Sequence, residues 1–182
     1  MVEINTAWQK DLELSQRVLA GNAQAFAEIV KAHQRLVWHM AWRMLQHRQE
    51  AEDCSQEVFL RVHQSLKQYR GESALATWIG RVAFSVALRM AQKRKLRLDI
   101  PSDFEPELAF EHIGSGEDVQ SSHAEEEQMQ ALYAAIEQLP SLPRTVLSLH
   151  YRDGLAIAEI ANMLDCPEGT VKSHLNRGRN RL

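Results

Sequence analysis

The stretch Leu155–Leu182, LAIAEIANMLDCPEGTVKSHLNRGRNRL, decides the fold. Ile160, Ala161 and Leu164 recur at helical steps and predict a short helix. Asp165-Cys166-Pro167 breaks it. A second helix then carries Val171, Leu175, Gly178 and Leu182 on one side. Its other faces show Lys172, Ser173, His174, Asn176, Arg177, Arg179 and Arg181. Ile160, Leu164, Cys166 and Val171 supply a shared core, and the small Ala161 lets the two helices cross closely. This is the pattern of a helix-turn-helix, whose second helix enters a major groove and reads base edges while nearby cations grip phosphates. A plain helical hairpin fits the same spacing; the basic outer face favours DNA. Asp165 stands where glycine is common in such a turn, and Asp tolerates the left-handed conformation better than most residues.

Upstream of that stretch the pattern stays helical. Ser122 and Glu125 are spaced as a capping box, followed by a stripe of Met129, Leu132, Ile136 and Leu139. Pro140 ends this helix, and Pro143 suits the first turn of the next, which continues through Val146, Leu149 and His150. Asp153-Gly154 makes a turn. Before this block, Asp99 to Ser122 contains Pro101, Pro106, Gly114 and Gly116 and no sustained period. A linker of that length is uncommon inside one compact domain, so two domains are expected.

The 182 residues and their 45% apolar content suit that division, and the charge follows it. Residues 1–98 hold 15 basic and 9 acidic side chains, a net of +6. Residues 99–127 hold 10 acidic ones and no Lys or Arg, and residues 128–182 net +1 from 6 basic and 5 acidic. A net charge of −3 thus conceals two basic-to-neutral ends around an acidic middle, which points to a polyanion at the ends. The middle reads equally as a solvated tether.

In the N-terminal block, Phe26, Ile29, Val30, His33, Val37, Met40, Ala41 and Met44 form one apolar stripe. Val58, Phe59, Val62 and Leu66 mark a second helix. Gly71 interrupts, Ser73 is placed as an N-cap, and Leu75, Trp78, Ile79, Val82, Val86 and Met90 mark a third. Lys93-Arg94-Lys95-Leu96-Arg97 ends it. One cation would satisfy the helix dipole; four favour phosphate contact. Nothing alternates as a strand does, so the expected class is all-α: two small helical domains joined by an acidic linker.

Other classes fit poorly. No run approaches the roughly 18 apolar residues of a membrane span, and Met1–Asp11 lacks a signal-peptide core, so a cytoplasmic protein is expected. Cys54 and Cys166 make no disulfide framework, and each reads as a small buried residue. His33, His39, His47 and His63 are scattered, with no His-Glu-x-x-His, paired Cys-x-x-Cys or phosphate-binding glycine loop. No catalytic residue, metal site or cofactor is assigned.

Glu159-Ile160-Ala161 followed by Gly169-Thr170-Val171-Lys172-Ser173 resembles region 4 of the extracytoplasmic-function (ECF) sigma factors of the sigma-70 family. Ala51-Glu52-Asp53-Cys54-Ser55-Gln56-Glu57-Val58-Phe59 resembles their region 2.2. Tyr69-Arg70-Gly71-Glu72-Ser73, Thr77-Trp78-Ile79 and Arg81-Val82-Ala83 resemble regions 2.3 and 2.4. The set is ordered and spans almost the whole chain. It implies a non-catalytic initiation factor, with region 2 over 1–98, a linker over 99–122 and region 4 over 123–182. It also implies binding to core RNA polymerase and promoter DNA, and an anti-sigma factor that competes with polymerase.

Carried over residue by residue, the resemblance assigns polymerase contact to Asp53, Gln56 and Glu57, which share one helix face. Recognition and melting of the minus-10 element fall to the loop from Tyr69 to Ala76 and the helix after it: Tyr69, Arg70, Ser73, Trp78, Arg81, Ser85, Arg89, Lys93, Arg94 and Arg97. Trp78 either stacks a base or belongs to the core, and its place in the apolar stripe favours the core. Ser85 stands where the family often has asparagine. The minus-35 element falls to Lys172, Ser173, His174, Asn176 and Arg177, with Arg179 on phosphate. His174 replaces a usual arginine, which removes a bidentate guanine reader and implies altered sequence preference. The linker is expected to thread toward the polymerase cleft, either as an acidic mimic of nucleic acid or as a simple tether. A helix-turn-helix regulator of the LuxR type is the rival, since Thr170–Leu175 also resembles its recognition helix; the short helical N-terminal block argues against it.

Overall fold

The computed structural model describes residues 6–98 and 132–182. Among them every regular element is helical. In order these are α1 (Thr6–Leu19), α2 (Ala23–Leu45), α3 (Arg48–Ser65), a 3-10 turn (Leu66–Gln68) and α4 (Leu75–Leu98). Then come α5 (helical over 132–137), α6 (Ser141–Leu147), a π turn (Ser148–Arg152), α7 (Ile157–Leu164) and α8 (Glu168–Arg179). The chain divides into two compact units: α1 to α4 belong to the first, and α5, α6, the start of α7 and α8 to the second.

In the first unit α2 packs on both α3 and α4, which pack on each other. Ile29, Val37, Met40, Ala41 and Met44 of α2 meet Cys54, Val58 and Val62 of α3 and Leu75, Ile79 and Val86 of α4, all buried. A fully buried aliphatic side chain of this kind contributes about 1.5–3 kcal/mol. Phe59, expected beside Val58 and Val62, is only half-buried, because adjacent helical positions point about 100° apart. The helix ends follow side-chain chemistry. Asn22 Oδ1 accepts the Ala25 N–H at 3.1 Å and starts α2, and Gln46 ends it in the left-handed region at φ 47°. His47 Nδ1 accepts the Glu50 N–H at 3.4 Å and starts α3.

One expected cap is corrected. Ser73 does not cap α4: its hydroxyl faces the Ala74 carbonyl at 3.5 Å. The first N–H of the helix, on Leu75, donates instead to Asp11 Oδ2 at 2.8 Å. Asp11 lies on α1, a helix not among those expected above, whose Trp8, Leu12, Leu14 and Val18 share one face.

In the second unit α6 packs on α8. Gly178 permits this: a Cβ there would lie 2.1 Å from Leu147 Cδ1. The sequence located close approach at Ala161, which is indeed buried, but carried this second contact point unnoticed. Arg144 is buried and donates from Nη1 to the carbonyls of Leu139 at 2.6 Å and Glu137 at 3.2 Å, closing the end of α5. Burial lowers its pKa to about 10. The expected helix through His150 gives way to the π turn, closed by Asp153 N–H to the Ser148 carbonyl at 3.1 Å. Asp165 adopts φ 53°, the left-handed conformation its type suggested. Leu182 is corrected: it lies beyond α8 and is 47% exposed, outside the apolar side assigned to it. The capping box Ser122–Glu125, Met129, the linker 99–122 and the side chains of Lys95 and Arg97 lie outside the described residues.

Candidate nucleic-acid interface

α3 presents its acidic residues outward while Cys54, Val58 and Val62 face the core. Asp53 and Gln56 are exposed and Glu57 is half-exposed. Gln49 Nε2 donates to Asp53 Oδ1 at 3.3 Å, and Arg61 Nε donates to Glu57 Oε1 at 2.6 Å. Both partners lie on the same helix one turn away, and pairs so open to solvent contribute little to stability, so they exchange readily for another partner. Leu60 shares this face, one turn beyond Gln56, and is 59% exposed. Its helical position, one turn from Gln56 and off the stripe of Val58 and Val62, places it here. Cys54 is buried, and burial pushes its thiol up to about 12, so it is inert at neutral pH.

The loop before α4 is rigidly built. Tyr69 is buried, donates its hydroxyl proton to the Ser73 carbonyl at 2.8 Å, and packs on Trp78 with ring centroids 5.8 Å apart. Burial, then the Asp11 charge, push its pKa up to about 12. Gly71 at the bend has φ 72°, a conformation that favours glycine. Arg70 is exposed and Ser73 half-buried. Trp78 is half-buried.

Along α4, Arg81, Ser85, Arg89 and Lys93 recur every fourth residue. Arg81 is half-exposed and the other three are exposed. At a rise of about 1.5 Å per residue this polar row runs about 18 Å. The opposite face, with Ile79, Val86 and Ala87, is buried. Arg94, one residue past the row, is tied back: Nη1 donates to the Leu45 carbonyl and to Glu50 Oε2, each at 3.1 Å. It holds α4 to the end of α2 and the start of α3.

On α8, Val171, Leu175 and Gly178 are buried. Lys172, Asn176, Arg177 and Arg179 are exposed, and Ser173 and His174 are half-buried. His174 Nδ1 is buried with no hydrogen-bond partner. Burial and then the positive Arg177 lower its pKa, so the imidazole is neutral at pH 7. Arg179 Nε donates to the Tyr151 hydroxyl at 2.7 Å, with its guanidinium 5.6 Å from the centre of that ring. Tyr151 was not singled out in the sequence; it lies in the π turn, far from α8 along the chain. Glu168 pairs loosely with Lys172 at 4.0 Å.

Among the described residues no cluster of His, Cys, Asp and Glu could hold a metal ion, and no helix is long and apolar enough to cross a membrane. What the surface offers is a row of cations on α4 beside a braced loop, and a compact set of donors on α8.

Comparison with known proteins follows the same division. The model of sigma-70 region 2 matches residues 29–97, and that of sigma-70 region 4 matches 129–182. The RNA polymerase sigma-H factor of Pseudomonas aeruginosa is 32% identical over 178 residues, covering 94% of this chain and 91% of its own. The ECF RNA polymerase sigma-E factor of Escherichia coli K12 is 34% identical over 176 residues, covering 93% and 90%. Two solved structures share the fold. CnrH in complex with the cytosolic domain of CnrY gives a TM-score of 0.61 at 16% identity, over 92% of this chain and 91% of that one. The sigma factor RpoE with the anti-sigma factor NepR from Bartonella quintana gives 0.62 at 19%, over 87% and 94%.

Proposed function

The chain belongs to the ECF sigma factors of the sigma-70 family, RNA polymerase initiation factors, and on that premise we propose how its residues divide the work. Region 2 occupies 1–98, the linker 99–122 and region 4 123–182. The α3 face of Asp53, Gln56 and Glu57 docks on core RNA polymerase, with Leu60 as its apolar anchor. The polar ring around an exposed leucine is the composition of an interface with a small desolvated centre.

The minus-10 element is handled by the Tyr69–Ala74 loop and the α4 row. A separated strand needs cations along its backbone and a firm place for an extruded base. The single observation that carries this assignment is the row Arg81, Ser85, Arg89 and Lys93, a polar track inclined along a helix whose Ile79, Ala83, Val86 and Ala87 are buried. Tyr69 serves as a pillar of the loop rather than a stacking surface, because its ring is buried and its hydroxyl engaged. Arg94 serves the fold rather than the phosphates.

The minus-35 duplex is read by α8. Lys172, Ser173, Asn176 and Arg177 face outward for base edges, and Arg179, steadied by Tyr151, meets a phosphate. A neutral His174 gives no bidentate guanine contact and lowers the cationic character of the helix at that point.

No catalytic residue is assigned to the chain, which acts in the cytoplasm through polymerase. An anti-sigma factor is its proposed regulator, covering surfaces that polymerase otherwise buries, so the two exclude each other. The sigma factor RpoE of Bartonella quintana, which shares the fold, is known in complex with the anti-sigma factor NepR. A stand-alone regulator is not favoured, since its polymerase-docking and strand-tracking surfaces would have no use. Run-off transcription tests the reading: the purified chain added to core polymerase yields discrete promoter-dependent transcripts. Absence of initiation above core alone would refute it.

A further inference from the structure

α1 braces the loop that carries the most delicate task. α4 begins without a cap of its own. The orphan N–H groups of a first helical turn need an acceptor, and the Leu75 N–H finds Asp11 Oδ2 at 2.8 Å, from a residue 64 positions earlier. At the bend, Gly71 holds φ 72°, and a Cβ there would lie 2.6 Å from Leu12 Cδ1. At its start, the buried Tyr69 ties its hydroxyl to the Ser73 carbonyl across the loop at 2.8 Å. Thus Asp11 fixes the exit, Leu12 seats the bend, and Tyr69 closes the span between them. α1 is itself joined to α2 through the Arg17–Glu28 pair at 3.2 Å and the turn at Gly21.

We propose that α1 is a positioning strap for single-strand capture: Asp11 and Leu12 hold the Tyr69–Ala74 loop in one shape, so that it meets an extruded base without first having to order itself. The inference rests on the assignment of this loop to the minus-10 strand. Its physical basis is preorganisation, since a loop fixed beforehand loses less entropy when a ligand arrives. Asp11 and Leu12 touch the loop and not the DNA, so both are positioning residues.

The sign of the effect separates this role from simple electrostatics. Removing a carboxylate near a polyanion should tighten binding; removing a strap should weaken it. The test uses holoenzyme assembled from core polymerase and the full chain. One probe is a single-stranded oligonucleotide spanning the minus-10 element of a promoter mapped with the same holoenzyme, and the other is that promoter's minus-35 duplex. Loss of a helix cap corresponds to about a fivefold change in an equilibrium. Asp11→Ala should therefore weaken the single-stranded probe about fivefold, and Leu12→Ala should weaken it as well, with core and duplex affinities unchanged. Asp11→Asn, which keeps an acceptor for the Leu75 N–H but loses the charge, should bind at least as tightly as the parent. Equal or tighter single-strand binding by Asp11→Ala overturns the proposal. So does a parallel loss of core binding in both alanine variants, which marks general unfolding. If Arg70→Ala also leaves the single-stranded probe unaffected, the loop assignment itself fails; if Arg70→Ala weakens it while Asp11→Ala does not, only the strap fails.

Discussion

α4 and α8 both expose cations, yet they present them differently. α4 spaces Arg81, Ser85, Arg89 and Lys93 four residues apart, in a single row with one small hydroxyl as its only neutral member. α8 crowds Lys172, Ser173, Asn176 and Arg177 into a turn and a half, mixing charges with neutral donors. A row suits a backbone, where every phosphate is alike. A cluster with an amide and a hydroxyl suits base edges, where donors and acceptors differ from pair to pair. Charge composition alone does not distinguish the two helices; the period of the charges does.

The largest expected effect comes from stripping the row. With Arg81, Arg89 and Lys93 all changed to Ala, binding of the single-stranded minus-10 probe should fall about a hundredfold at moderate salt, and its salt slope should drop by about 2. Titrations over a range of salt measure both, and an unchanged slope would remove α4 from the strand path. Next comes Arg177→Ala. It should cost about 1–3 kcal/mol at one position of the minus-35 element and relax the choice of base there. Selection from a randomised duplex library reads this out; uniform weakening without relaxed preference would move Arg177 to the phosphates.

Tyr151→Phe should act more gently. It keeps the ring beneath Arg179 and removes only the hydroxyl acceptor, a loss of about 0.5–1.5 kcal/mol in the duplex complex with sequence preference intact. The smallest effect is that of pH on the first unit. Burial, opposed in part by Asp11, lowers the pKa of His33 below 6.5. The folded state therefore favours the neutral ring, and the unfolded chain binds more protons as pH falls through 6.5. Stability should decline on acidification below that value. His33→Gln should flatten this part of a denaturant-versus-pH curve, and an unaltered curve would show that His33 contributes nothing to it.

The contrast also explains what the sequence disclosed. α2, α3, α8 and the turn at Asp165 were legible because their signals are local: apolar residues at helical steps, or a residue type that tolerates a left-handed backbone. α1 carries a local signal as well, with Trp8, Leu12, Leu14 and Val18 on one helical face, but its contribution is not local, because Asp11 and Leu12 meet a loop many residues away. Ser73 illustrates the same limit. A serine two residues before a helix is a fair local cap, but a distant carboxylate outcompeted it. Arg94 looked like part of a basic tail, and only the fold reveals that its guanidinium fastens α4 to the ends of two other helices. Tyr151 gave no local signal, since it acts across the fold on Arg179, whereas Leu60 is placed on the Gln56 face by helical step and made conspicuous by its exposure.

The division of labour between the two helices is tested most directly by crosslinking. A photoreactive amino acid placed at Ser85 or at Ser173 in the holoenzyme can be activated on an open promoter complex and the labelled bases mapped. Position 85 is expected to mark the non-template strand within the minus-10 element, and position 173 the upstream duplex at the minus-35 element. Labelling of the same segment from both positions, or of duplex DNA alone from position 85, would contradict the account.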